Sequence, residues 1–367
     1  MPWYYPRMPE ELSRSVRQEL AHRNSVKRIV IFVMLGVVAV LFFVSLMVGS
    51  SNMSLPESFM ALFGQGEASS VRIVQQIRLP RALAALIAGA GLSVAGLVMQ
   101  STLKNPMASP STLGVSNAAV FGANIAIIGF AGGFINTGGR IDNYDFGTNP
   151  FATSSMAFLF ALVSTLIVLG LCRIRSFSSE TVVLAGIALG TVWTALTTIL
   201  QFYATDVGLS AAVIWTFGDL GRATFTTDWI MFGVVAASVI VFFFLQWRFN
   251  AVAADESVAN SLGVKVNLLR FVSMLLASLI TAVCVSYLGI IGFIGIICPH
   301  AMRRIVGNNH RFLIPASLVS GALLLLFSDI VSRLIGNGTA LPVGAITSLL
   351  GGPFFLYLIF AKKGGKA

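Results

Sequence analysis

The chain is short of charge. Only 10% of its 367 residues are Asp, Glu, Lys or Arg, against 56% hydrophobic residues and a mean hydropathy of +0.87. That composition excludes a soluble globular domain and describes a polytopic membrane protein. Cysteine and histidine are scarce, with three of each. Cys172, Cys284 and Cys298 fall within or beside apolar runs and lack C-x-x-C spacing, which predicts neither a disulfide nor a zinc site. Cys298-Pro299-His300 offers two candidate ligands beside a helix end, a pattern that packing and capping also explain, and no bound metal is expected. There is no H-E-x-x-H and no G-x-x-x-x-G-K-[ST], the one Gly-Lys pair being Gly365-Lys366, so the chain has no P-loop for ATP. Gly91-Leu92-Ser93 is half of a serine–histidine arrangement at best, and no enzymatic activity is expected.

What is present is apolar sequence in long runs. Ten segments recur, near 28–48, 80–103, 112–130, 151–172, 181–204, 229–247, 267–288, 294–305, 311–334 and 343–361. They predict an all-α membrane fold of about ten crossings, a single transmembrane domain over 28–361, with tails at 1–27 and 362–367. Ile29–Val48 contains 20 uncharged residues. At about 1.5 Å each they span a bilayer core of about 30 Å, and they exceed a signal-peptide core of about 7 to 15 residues, so an uncleaved first helix is expected. The eighth segment is short and interrupted by Gly289, Gly292, Gly295 and Pro299. Non-helical backbone at membrane depth is tolerated only against protein or a water-filled cavity, so this segment is expected to line a pathway.

Threading the segments with both termini inside leaves 18 of the 24 basic residues in the cytoplasm and six outside, namely Arg72, Arg78, Arg81, Arg140, Arg222 and Arg333. This obeys the positive-inside rule. Eight of the 14 acidic residues, Asp228 and Asp329 among them, fall outside, so the net charge of +10 reports topology and not a nucleic-acid partner.

Two polar segments exceed the short loops. The outer one, 131–150, is rich in Gly and Asn and reads as a flexible external loop. The inner one, Asn250–Val266, contains a short amphipathic helix: Asp255 and Glu256 suit its N-terminus, Val258 and Leu262 share one face, and Gly263 can stop it. It either lies on the membrane surface or docks into a groove on a cytoplasmic partner. At the mouth of the second apolar run stand Arg78 and Arg81, flanking Pro80. They snorkel to the interface or meet a ligand or partner. Asp329 precedes Arg333 by one helical turn, and the pair is either structural or leaves Arg333 exposed on an outer rim with Arg78 and Arg81, where an acidic partner would be drawn.

Several of these runs converge. Arg78-Leu79-Pro80-Arg81 through Gly89-Ala90-Gly91-Leu92-Ser93 to Met99-Gln100, Lys104-Asn105-Pro106-Met107-Ala108-Ser109-Pro110, and Leu113 to Ala118 closely resemble the FecCD family, permease subunits of type II ABC importers for iron-siderophores, haem and vitamin B12. Leu184 to Gly190, Gly292-Phe293-Ile294-Gly295, Pro299-His300, Arg303, His310-Arg311, Leu341-Pro342-Val343-Gly344 and Gly352-Pro353-Phe354-Phe355 match as well, in order, across about 28–361.

The resemblance implies a vitamin B12 permease-like subunit that pairs with a second permease chain, identical or related. It also implies two cytoplasmic ATPase subunits, which hold ATP and Mg, and an extracytoplasmic binding protein that delivers a metal chelate. Residue by residue it implies that Arg78, Arg81 and Arg333 meet acidic groups of that binding protein. Segment 250–264, with Asp255, Glu256, Val258, Ala259, Leu262 and Gly263, would form the coupling helices on the ATPases. Asn105, Met107, Ser179 and Glu180 would form a cytoplasmic gate. The helix at 181–204 would line the path at the dimer axis, where Gly186-x-x-x-Gly190 suits close helix contact. An iron-siderophore is the expected cargo, with haem, cobalamin and molybdate-like oxyanions behind it. Ala340, where relatives often carry Glu, and the length of 131–150 depart from the family pattern. The competing class is an ion-coupled secondary transporter, which would need ionisable residues at the midplane, where Asp329 is the sole candidate.

Overall fold

The computed structural model describes residues 10–49, 53–130, 150–174, 178–336 and 340–360; most of the 131–150 loop and the C-terminal tail lie outside the described residues. Helix α1 spans Glu10–Met47, followed by α2 (Leu55–Leu62) and α3 (Ala68–Ile73), which continues through a π-helical stretch, Val74–Arg78, into α4 (Leu79–Thr102). A 3-10 turn at Pro110–Leu113 leads to α5 (Val115–Asn124), extended by a π-helical turn at Ile125–Phe130. Then come α6 (Pro150–Ile174), α7 (Ser179–Phe202), α8 (Asp206–Thr216), a 3-10 turn (Leu220–Arg222) and α9 (Phe225–Ala254). The chain closes with α10 (Glu256–Ser261), α11 (Val266–Leu288), α12 (Ile294–Val306), α13 (His310–Ile335) and α14 (Val343–Phe360).

All ten apolar runs read from the sequence are helical and in the expected order, and this is a multi-pass membrane protein. Among the described residues seven stretches are long and apolar enough to cross a membrane, and 115–130, 206–216 and 343–357 are shorter apolar helices. Three details differ from the expectation. Residues 10–27 are no separate tail but the first part of α1, since neither Gly nor Pro interrupts them and Arg23 pairs with Glu19 at 2.7 Å one turn away. Helices α2 and α8 are additional; at 8 and 11 residues they are too short to register as crossings. Finally, α12 runs straight through Gly295 and Pro299, so the break is confined to Gly289–Phe293.

Helix α4 is the axis of the bundle, with 78% of its apolar window buried against 11% for α1 and 28% for α7 and α9. Its glycines allow neighbouring backbones to touch it. A Cβ on Gly89 would lie 2.4 Å from the Gly321 carbonyl of α13, and one on Gly96 would lie 1.8 Å from the Gly295 carbonyl of α12. Both separations are impossible for a side chain, so glycine is obligatory where the half-length helix α12 leans on α4.

The break before α12 satisfies its backbone by crossing two other irregular segments. Asp219 N–H donates to the Leu288 carbonyl at 2.8 Å and Val343 N–H to the Gly218 carbonyl at 2.7 Å, while Phe217 and Ile290 form a single parallel bridge. Gly218 and Gly344 both face the Ile290 carbonyl, where any Cβ would come within 2.4 Å. Three non-helical segments thus pair with one another inside protein, as a bilayer requires.

Gly96→Ala is expected to destabilise the purified protein by about 1–3 kcal/mol or more through overpacking against Gly295. Gly170→Ala, with no neighbour within 4 Å of its Cβ, should leave the melting temperature in detergent unchanged. Equal melting curves for the two variants would show that α12 does not depend on this contact.

Candidate functional site

At the end of the bundle where α1 finishes, three arginines meet. The last carbonyls of a helix have no partner within it, and α1 has no basic residue in its own last turn. Arg78 Nη1 donates to the carbonyls of Leu46 (2.9 Å) and Met47 (2.8 Å), and Arg333 Nη1 to those of Ser45 (2.8 Å) and Val48 (2.6 Å). Arg333 Nη2 also reaches Ser45 Oγ at 2.6 Å. Asp329, wholly buried, takes Arg81 Nε on Oδ1 and Arg333 Nη2 on Oδ2, both at 2.7 Å. The expected pairing of Asp329 with Arg333 is present, but the expected exposed rim is not. Arg78 and Arg81 are buried and Arg333 nearly so, because their charge is spent on α1 and Asp329. Gly49 is part of this packing, since a Cβ there would lie 2.6 Å from Arg78 Nη2. Asp228, counted from sequence among the outer acids, is also buried: it is 3% exposed in the first turn of α9, and neither carboxylate oxygen has a hydrogen-bond partner.

The opposite end carries α10. Asp255 caps it by accepting from Ser257 N–H at 2.7 Å, and Gly263, at φ +78°, ends it. The Ser257 hydroxyl and backbone N–H hold the Asp255 carboxyl below its ordinary pKa. Ala259 is buried, whereas Val258 and Leu262 are 47% and 60% exposed. Residues 250–254 belong to α9, so segment 250–264 contains one short helix and not several. Glu256 ion-pairs with Arg270 Nη2, and Arg270 Nε donates to the Thr102 carbonyl at the end of α4 at 3.0 Å.

Next to Thr102 lies a ring of polar side chains that sequence reasoning gave no role beyond family matches. Pro299 has no N–H, which leaves the Gly295 carbonyl of α12 without its helical donor. Gln100 Nε2 supplies one at 3.0 Å, while Gln100 Oε1 accepts from Arg303. Arg303 Nη2 reaches Ser101 Oγ at 3.3 Å, His310 Nε2 lies 2.8 Å from the same oxygen, and His310 Nδ1 lies 2.8 Å from Asn250 Oδ1. Helices α4, α9, α12 and α13 are joined there by side chains.

Two loops named as a gate also lie toward the α10 end. Asn105 Oδ1 accepts from Met107 N–H at 2.9 Å, the turn being set by Lys104 at φ +50°, and Met107 is exposed. Ser179 and Glu180 open α7 under a Ser178 cap. Among the described residues no hydrogen bond or ion pair joins the two loops. Gly186 and Gly190 pack within the chain: a Cβ on Gly186 would lie 2.2 Å from the Thr112 carbonyl, and Gly190 faces Gly114 and Asn117. The 110–114 turn thus requires glycine at 186, whereas a Cβ at 190 would make only ordinary contacts. Between that turn and the break lies a cavity of about 350 Å³, bordered by Ser109, Ser111, Ser116, Asn117 and Phe293, with no ionisable side chain on its wall. The interrupted segment thus lines a cavity, as its glycines predict.

Comparison with known proteins agrees with this architecture. The profile of the FecCD transport family matches residues 37–361. A protein of Methanocaldococcus jannaschii named as an ABC transporter permease is 46% identical over 315 residues, covering 86% of this chain and 89% of the relative. A Helicobacter pylori protein named as an iron chelatin transport system permease is 34% identical over 292 residues, covering 80% and 83%. A solved structure described as an inward-facing metal-chelate type ABC transporter superposes with a TM-score of 0.78 at 28% identity, over 91% of this chain and 99% of its own.

Asp329→Asn would leave buried Arg333 without its counter-charge and Arg81 with only Asp219, 4.0 Å away, a loss expected to cost about 3–5 kcal/mol. Thermal unfolding in detergent measures it. A shift no larger than that of Glu19→Gln, which removes only the exposed pair on α1, would show that the buried cluster does not hold this end together.

Proposed function

Since this chain belongs to the FecCD transport family, we propose that it is the membrane-spanning permease subunit of an ATP-binding-cassette importer for a bulky metal chelate. The observation that carries the coupling is α10, a capped helix fixed to the end of α4 through Glu256 and Arg270 while it presents Val258 and Leu262 outward. An exposed apolar pair on a short rigid helix suits a groove on another protein. In this reading α10 faces the cytoplasm and docks on two ATPase subunits, which hold ATP and Mg, and both termini lie on that side. A second permease chain completes the path, and a binding protein delivers cargo at the Asp329 end. Arg78, Arg81 and Arg333 hold that surface in shape, since they lie inside it and are tied to α1, Asp329 and Asp219.

A metal chelate is favoured as cargo by the name of the solved structure, and an iron chelate by that of the Helicobacter relative, with haem, cobalamin and oxyanions as alternatives. The 350 Å³ cavity supports a path that does not hold cargo by charge, and Asn105, Met107, Ser179 and Glu180 close it from the cytoplasm. An ion-coupled reading would look to buried Asp228, but that residue sits in the first turn of α9 and not at mid-depth.

Leu262→Asp should reduce co-purification of the ATPase subunit by about tenfold or more, the scale of a lost apolar anchor, while leaving the melting temperature intact. Uptake into proteoliposomes containing the ATPase and binding protein should require ATP. Accumulation driven by an ion gradient without ATP would sink the importer reading.

A further inference from the structure

A second cavity, of about 630 Å³, lies at the end of the bundle opposite α10, among the ends of α6, α8, α9 and α11. Its lining is chemically mixed: Ile127, Phe151 and Ile214 are apolar, and Arg222, Thr224 and Tyr287 bring a cation and hydroxyls. Among the described lining residues Arg222 is the only ionised side chain. It caps α8 by donating from Nη1 to the Trp215 carbonyl at 3.0 Å and from Nη2 to the Ile214 carbonyl at 2.8 Å. A guanidinium carries five N–H donors, so most remain after these two bonds. Asp219, the nearby acid that acts on Arg222, does not line the cavity; its Oδ1 accepts from Gly221 N–H at 2.8 Å. None of the transport steps proposed above uses this place.

The level of the cavity is marked independently. Phe151 and Phe225 stand exposed in the first turns of α6 and α9, and Trp229, 70% exposed, packs edge-on against Phe232 one turn deeper. An exposed Trp near a helix end marks the membrane–water interface, and Trp229 sets that level here. A cavity at that level whose lining combines a cation, hydroxyls and apolar side chains has the amphipathy of a phospholipid.

We propose that this cavity is a binding site for an anionic phospholipid, its phosphate on Arg222 with Tyr287 and Thr224 beside it, and an acyl chain against Ile127, Phe151 and Ile214. A zwitterionic headgroup would bring a second cation to Arg222 with no carboxylate among the described lining residues to receive it. Charge complementarity therefore selects phosphatidylglycerol-like lipids over phosphatidylcholine.

Trp215 lines the cavity and reports occupancy. In nanodiscs of phosphatidylcholine, the Trp215 signal is the fluorescence of the wild type minus that of Trp215→Phe. Dibrominated-chain phosphatidylglycerol should quench it at about fivefold lower mole fraction than dibrominated phosphatidylcholine, the scale of one surface cation on an anionic lipid. Arg222→Gln should abolish that preference and Arg222→Lys should keep it. If Arg222→Gln fails to fold because the α8 cap is lost, Tyr287→Phe, which leaves the cap intact, should narrow the preference. Equal quenching by the two lipids in the wild type, or a preference that survives both Arg222→Gln and Tyr287→Phe, would overturn the proposal. Relief of quenching by low-millimolar inorganic phosphate would assign the site to a free anion and overturn the lipid.

Discussion

A helix that stops within a bilayer leaves carbonyls that no water can reach, and much of this protein is arranged around supplying donors to them. Helix α1 is ended by Arg78 and Arg333, α4 by Arg270 and α8 by Arg222, each reaching from another part of the chain. Inside α12 the same need arises at Gly295, whose carbonyl Pro299 cannot serve, and Gln100 answers it. Arginine suits the task because its several donors can bridge two carbonyls at once while keeping a charge that a carboxylate such as Asp329 can balance.

These caps explain why the charged residues of an otherwise apolar chain sit where they do. Arg78 and Arg81, on either side of Pro80, look from the sequence like a free pair at a helix mouth. The sequence cannot show that Arg78 will find the end of α1 or that Arg81 will find Asp329, because both contacts join residues far apart in the chain. What hydropathy does show is the ten apolar runs. What local rules show is α10, whose Asp255 cap and Gly263 stop act within a few residues. Between these lie the glycines. Gly186-x-x-x-Gly190 stands out as a motif, yet the tightest contacts belong to Gly96 and Gly295, whose proximity depends on how α12 leans on α4. Proline misleads for a related reason: Pro299 removes one donor without ending α12, since Gln100 repairs the loss.

The position of Gln100 links the two ends of the argument about transport. It touches the carbonyl of Gly295, which lies on the cavity wall with Phe293, and it also holds Arg303, which reaches Ser101. Thr102, the next residue, receives Arg270, which is paired with Glu256 at the start of α10. A displacement of α10 by a bound partner therefore has a continuous route of polar contacts to the end of α4, and from there to the half-helix that borders the cavity. Each step is a specific hydrogen bond or ion pair to a backbone end, which holds position more firmly than apolar packing between smooth helix faces.

The same logic separates the two ends of the bundle. At the Asp329 end the caps are buried and closed on one another, so that α1, α4 and α13 move as one body. At the α10 end the contacts run in series from one helix terminus to the next, and the exposed pair Val258 and Leu262 stands at the start of the series. In the importer reading proposed above, a push on α10 would reach α12 through these contacts, and the close approach of Gly96 to Gly295 is where α12 rests on α4.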